Sequence, residues 1–152
     1  MQIITNKLLS FLLDEFKMDW NGIHGLNHWL KVHDNGLWIA SLDNRVNTTI
    51  VALFGILHDI GRTTDDKELE HGSKASRMVE KLNGDFFTIS EEESRILSYA
   101  CLMHPYPMVS FDPTVGACWD ADRLELPRAG IEINTRYIST LVVKDFITCP
   151  VR

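Results

Sequence analysis

Thr48-Thr49-Ile50-Val51-Ala52-Leu53-Phe54-Gly55-Ile56-Leu57-His58-Asp59 is the stretch whose reading decides the fold. From Ile50 to Leu57 it holds only apolar residues and one glycine, so it belongs in a core whichever backbone it takes. On composition alone, Ile50 to Phe54 would suit a buried strand. A strand needs a partner, however, and no other segment shows the period-two alternation of one. A buried helix over about Thr48 to His58 is therefore predicted, and with it an all-α protein.

The segments on either side agree. Before this helix, a first helix is predicted from roughly Ile3 to Phe16, with Leu8, Leu9, Leu12 and Leu13 in its apolar stripe. A loop follows at Asp19-Trp20-Asn21-Gly22, and a second helix runs from about Leu26 to Leu42. After it comes a polar loop, Gly61 to Leu69. A fourth helix starts near His71 and stops at Asn83-Gly84. The fifth opens with Ser90-Glu91-Glu92-Glu93, which has capping-box spacing, and ends at His104 because Pro105 follows. The sixth opens with Asp112-Pro113 and ends near Leu126-Pro127. Beyond Arg128 the pattern weakens, and Ile138 to Phe146 suits either a short helix or a packed tail. Residues 1–152 thus read as one domain, with a core of about 22–130 and a C-terminal tail, 131–152, packed on it.

With 152 residues, 45% of them hydrophobic, the chain can bury a sizeable core. Its formal net charge is -6 and it has no basic run, which argues against a nucleic-acid polymer or an anionic membrane as partner. A small anionic substrate stays compatible, since a metal ion can supply positive charge locally. Cys101, Cys118 and Cys149 are an odd set without CxxC spacing, so neither a disulfide framework nor a zinc knuckle is expected. Free thiols, no basic leader before a long apolar run, and no apolar stretch of bilayer length point to a cytoplasmic protein. A homodimer is compatible with this reading.

Five of these helices carry a His or Asp where a metal ligand would sit. His28 lies early in the second, His58-Asp59 closes the third, His71 opens the fourth, His104 closes the fifth, and Asp122 is in the middle of the sixth. His104 shares a face with Leu97 and Cys101, Asp122 with Val115, Cys118 and Trp119, and His71 with Ala75, Met78 and Leu82. So three polar side chains lie on stripes that otherwise point into the core. A carboxylate buried there without a partner is expensive. A metal ion would satisfy it together with the histidines. Any one of these residues alone fits a hydrogen-bonded packing role, and only the ordered set is specific. Trp29, Trp38 and Trp119 read as core. Asp120 and Asp122 are two apart, so they face opposite ways on a helix. Asp122 shares the apolar stripe and is the expected ligand, leaving Asp120 to support the site or face solvent.

Three segments carry a family resemblance: His24-Gly25-Leu26-Asn27-His28-Trp29-Leu30-Lys31-Val32, Leu57-His58-Asp59-Ile60-Gly61-Arg62, and Trp119-Asp120-Ala121-Asp122-Arg123-Leu124. In this order they resemble the HD superfamily of metal-dependent phosphohydrolases, over about Gly22 to Gly130. The resemblance implies an all-α HD-domain helical bundle in which His28, His58, Asp59 and Asp122 bind one divalent metal (Mn, Fe, Mg, Co, Ni or Zn). His71 and His104 stand where two-metal members carry two further histidines, and Asp59 would then bridge both ions. It further implies hydrolysis of a small phosphorylated substrate, such as a nucleotide, by metal-activated water. Many two-metal members have a lysine after the His-Asp-x-Gly run. Arg62 stands there instead; it can clamp a phosphate but cannot donate a proton, so the general acid is unassigned. Catalytic roles thus fall to Asp59 and Arg62, and substrate contacts to Arg62 and Lys31. His24 is left between orienting the site and capping the second helix, and the Pro105 to Phe111 loop between lining a pocket and plain connection. Two alternatives remain: a di-iron HD-type oxygenase using the same six ligands, and a metal-binding regulatory module without turnover.

Overall fold

A computed structural model describes residues 2–149. Among them are seven α-helices and no strand pairing beyond one isolated bridge between Asn83 and Phe87. The helices are α1 (Asn6–Glu15), α2 (Leu26–Leu42), α3 (Thr48–Leu57), α4 (His71–Leu82), α5 (Glu91–Met103), α6 (Pro113–Arg123) and α7 (Leu141–Thr148).

The stretch that could have been a strand is α3, and every residue from Ile50 to Leu57 is buried. A helix satisfies its own backbone, so it can run through the core without partner strands. The helix α3 forms the centre of the bundle and packs against α2, α4, α5 and α6. Its contact with α2 is close because two glycines allow it. A Cβ on Gly55 would lie 2.5 Å from the His33 backbone, and one on Gly36 would lie 2.9 Å from Val51 Cβ. The core extends from α3 to Leu8, Leu12, Trp29, Leu97 and Trp119, while Trp38 is half-buried against its edge.

Caps set the helix ends. Thr5 Oγ1 accepts from Leu8 N, so α1 begins at Asn6, three residues later than its apolar pattern suggests. Ser90 and Glu93 form the reciprocal capping box at the start of α5. Asp112 Oδ1 accepts from Thr114 N and Val115 N, both at 2.9 Å, at the start of α6. The end of α6 falls at Arg123, short of the expected Leu126, and a separate 3-10 turn (Leu126–Ala129) takes over. Pro127 has no N–H to continue an α-helical ladder.

The C-terminal segment returns to the bundle. A second 3-10 turn (Thr135–Tyr137) leads to α7, and Ile138 and Val143 are fully buried in the common core. Asp120 anchors this return. Its carboxylate accepts from Ser139 N at 2.8 Å and Thr140 N at 2.7 Å, and the residue is fully buried rather than facing solvent. No helix among the described residues is long and apolar enough to cross a membrane.

Candidate metal centre

The six residues singled out in the sequence converge. Each comes from a helix end or the last turn of a helix: His28 from the first turn of α2, His58 and Asp59 from the end of α3, His71 from the first residue of α4, His104 from the cap of α5 and Asp122 from the last turn of α6. The four imidazoles and Asp59 are buried, and the Asp122 side chain is 20% exposed.

The groups meet as two clusters that share Asp59. In the first, His28 Nε2 lies 3.1 Å from His58 Nε2, and Asp122 Oδ1 lies 3.3 and 3.4 Å from these two nitrogens. Asp59 Oδ2 completes it at 3.4 and 3.6 Å. In the second, His71 Nε2 lies 2.8 Å from His104 Nε2, with Asp59 Oδ1 at 3.1 and 3.5 Å. Asp59 therefore turns one oxygen to each cluster. Donor groups such as His28, His58 and Asp122, or His58, Asp59 and His104, lie close enough together to hold a metal ion.

The ring tautomers say what this centre accepts. His58 Nδ1 faces the carbonyls of Phe54 and Gly55 at 3.1 and 3.0 Å, His104 Nδ1 faces Cys101 O at 2.7 Å, and His71 Nδ1 faces Glu68 O. A carbonyl only accepts, so each of these Nδ1 atoms carries the proton and each neutral ring turns an Nε2 lone pair inward. Inward lone pairs beside two carboxylates repel unless a cation joins them. The donor set thus fits a metal held by nitrogen and oxygen.

The local electrostatics agree. Burial opposes a charge on His28, but Asp122, Asp59 and Glu125 outweigh it and push its pKa up to about 10. Burial likewise opposes ionisation of Asp59 and Asp122. The facing imidazoles, His58 foremost, still hold both carboxyls well below the usual range. The centre is thus a pair of carboxylates seeking positive charge.

The neighbours sort into those at the centre and those away from it. His24 Nδ1 lies 3.1 Å from Asp59 Oδ2 and 3.2 Å from Arg128 Nη2, so it braces the shared carboxylate and does not cap α2. Arg62 Nε donates to Asp59 Oδ1 at 3.3 Å, and its Nη1 donates to Thr64 O and Asp66 O. Lys31 is exposed and lies outside the wall of the adjoining cavity. Sequence reasoning passed over Glu125 and Arg128 as functional residues. Glu125 lies three residues after Asp122, a spacing that would have pointed to it.

A cavity of about 550 Å³ opens over the centre. Asp59, His71, His104 and Asp122 line its inner end, and Arg62 and Arg128 line its wall. The Pro105 to Phe111 loop contributes Tyr106, whereas Phe111 is fully exposed. The C-terminal segment lines it too, through Ile131, Ile133 and Tyr137.

No protein-family model matches the chain, and no curated protein matches it. Among solved structures, it is similar to a predicted HD superfamily hydrolase from an uncultured Thermotogales bacterium. The identity is 22%, the match covers 93% of this chain and 84% of that one, and the TM-score is 0.61. This likeness, with the helical bundle and its His/Asp cluster, shows that the chain has the HD-domain fold.

Proposed function

We propose that the chain is a metal-dependent hydrolase of phosphate esters, acting on a small nucleotide or a related phosphate. The observation that carries this reading is the convergence of four imidazole Nε2 atoms and two carboxylates beside a cavity whose lining joins Asp59, His71, His104 and Asp122 to Arg62 and Arg128. His28, His58, Asp59 and Asp122 would hold one divalent ion, and His71, His104 and Asp59 a second. Bound there, such an ion supplies positive charge for phosphate oxygens and acidifies a coordinated water.

The chain's own groups do the rest. His24 and Arg62 fix the Asp59 carboxylate from two sides, so each oxygen stays aimed at its own cluster. The bonds of Arg62 use Nε and Nη1 and leave Nη2 for a substrate oxygen, so it would orient the phosphate. Tyr106, Tyr137 and Ile133 offer an apolar wall to the organic part of the ester. Lys31 is not among the residues lining this cavity, so the reading rests the phosphate contact on Arg62.

Elemental analysis of the purified protein, joined to an anaerobic phosphatase panel with Mn, Mg, Co, Ni, Fe and Zn, tests this. Bound metal and phosphate release are expected. His58→Ala and Asp122→Ala should each lose metal and lower turnover at least ~100-fold, the scale on which removal of key electrostatic groups acts. Metal content unchanged in both variants would overturn the site. Metal-loaded protein that releases no phosphate would instead favour a regulatory module. A second reading, a di-iron oxygenase, draws on the same division of six donors around Asp59. Iron content with oxygen-dependent turnover would select it.

A further inference from the structure

We propose that Glu125 is the positioning residue for His28, taking its Nδ1–H and so aiming Nε2 into the centre; this rests on the metal-centre reading above. His28 differs from the other three imidazoles. His58, His71 and His104 each set Nδ1 against a backbone carbonyl. For His28 no carbonyl lies within hydrogen-bond range of Nδ1, and the one a turn earlier, His24 O, accepts from Trp29 Nε1–H at 2.8 Å.

What faces His28 Nδ1 instead is Glu125 Oε1, at 3.8 Å. Both atoms are buried, and they are the two buried side-chain polar atoms without a hydrogen-bond partner among the described residues. One needs an acceptor and the other a donor. A small rotation of the glutamate brings them into hydrogen-bond range and satisfies both.

The chain holds Glu125 at this position. Its N–H donates to Asp122 O at 2.9 Å, and its carbonyl accepts from Arg128 Nη1 at 2.8 Å. The end of α6 thereby reaches both sides of one ring, with Asp122 at Nε2 and Glu125 at Nδ1. A carboxylate partner at Nδ1 fixes the ring's tautomer and orientation and makes Nε2 a better ligand.

The test compares the full chain with Glu125→Gln, Glu125→Ala and His28→Ala, using chelator competition for Co(II) and thermal melting of the metal-free proteins. Glu125→Ala should weaken Co(II) binding about 10–100-fold, the usual scale for loss of a ligand's outer partner, a larger loss than any fall in metal-free stability. Glu125→Gln keeps an oxygen acceptor and should recover part of that loss. Wild-type affinity in Glu125→Ala, alongside loss in His28→Ala, would overturn the role of Glu125 and leave the metal centre standing. Equal losses of affinity and metal-free stability in both Glu125 variants would make Glu125 a packing residue and also overturn the proposal. Absence of Co(II) binding in the wild type would take down the metal-centre reading and this inference together.

Discussion

At the scale of single residues, His28 and its carboxylate neighbours make the centre sensitive to pH in two senses. The His28 pKa is raised from 6.5 to about 10. Its contribution to the stability of the metal-free protein is thus full below its unfolded value and lost as pH rises through about 10. Asp59 and Asp122 are shifted the other way. Their contribution is present above the ordinary carboxylate range, about 4, and lost as pH falls below it. Urea midpoints of the metal-free protein should therefore decline towards both extremes, and a flat profile through pH 10 would contradict the His28 environment. Metal binding must displace the His28 proton, so apparent affinity should rise on the order of tenfold per pH unit across neutral pH. Chelator competition at several pH values measures that slope. The choice between Asp120 and Asp122 was legible at this scale, because two residues on a helix face opposite ways. Asp122 faces His28 and His58, and Asp120 faces Ser139 and Thr140.

At the scale of elements, the contact between α2 and α3 positions His28 beside His58. Gly55 lets α3 lie against the His33 backbone, and an added methyl would have to displace main chain. Gly55→Ala is expected to cost about 3 kcal/mol, the upper range for overpacking a core. It should also lower metal affinity, because α2 carries His28. Chemical denaturation and elemental analysis check the two effects. Asp120 ties α6 to the return of the chain before α7. Asp120→Ala leaves two backbone N–H groups without their acceptor and should cost about 2–6 kcal/mol, at about 1–3 for each unsatisfied group. Bound metal per chain should be unchanged, since Asp120 points away from the centre. Helix type and most boundaries were readable from period and caps, which are local. The early end of α6 was not, because the apolar pattern continues through Leu126 while the backbone passes into a 3-10 turn at Pro127.

At the scale of the whole molecule, Arg123 joins two parts of the chain that both line the cavity. Its guanidinium donates to Tyr106 O and Met108 O in the loop after α5, and to Tyr137 O in the C-terminal segment. Arg123→Ala should release both walls together. Limited proteolysis should cut faster within residues 126–137, while metal content is retained because Arg123 does not enter the centre. Proteolysis at the wild-type rate would show that the walls hold without it. The C-terminal segment therefore does more than cover the core, since Ile131, Ile133 and Tyr137 complete the cavity over the His/Asp cluster.

The sequence by itself determined the all-helical architecture and the six His and Asp residues that meet at the centre. Period, capping and the apolar run of α3 act between neighbours a few residues apart, so they can be read along a line. Only the tertiary structure decided that Asp59 turns one oxygen to each cluster, that His24 braces it, and that Arg62 is tied to its own loop. The same holds for the exclusion of Lys31 from the cavity and for the approach of Glu125 to His28. Those outcomes depend on how α2, α3 and α6 pack and on where the chain returns after α6. Apart from Arg62, the groups concerned lie about thirty to a hundred residues apart, and no local pattern encodes their distances.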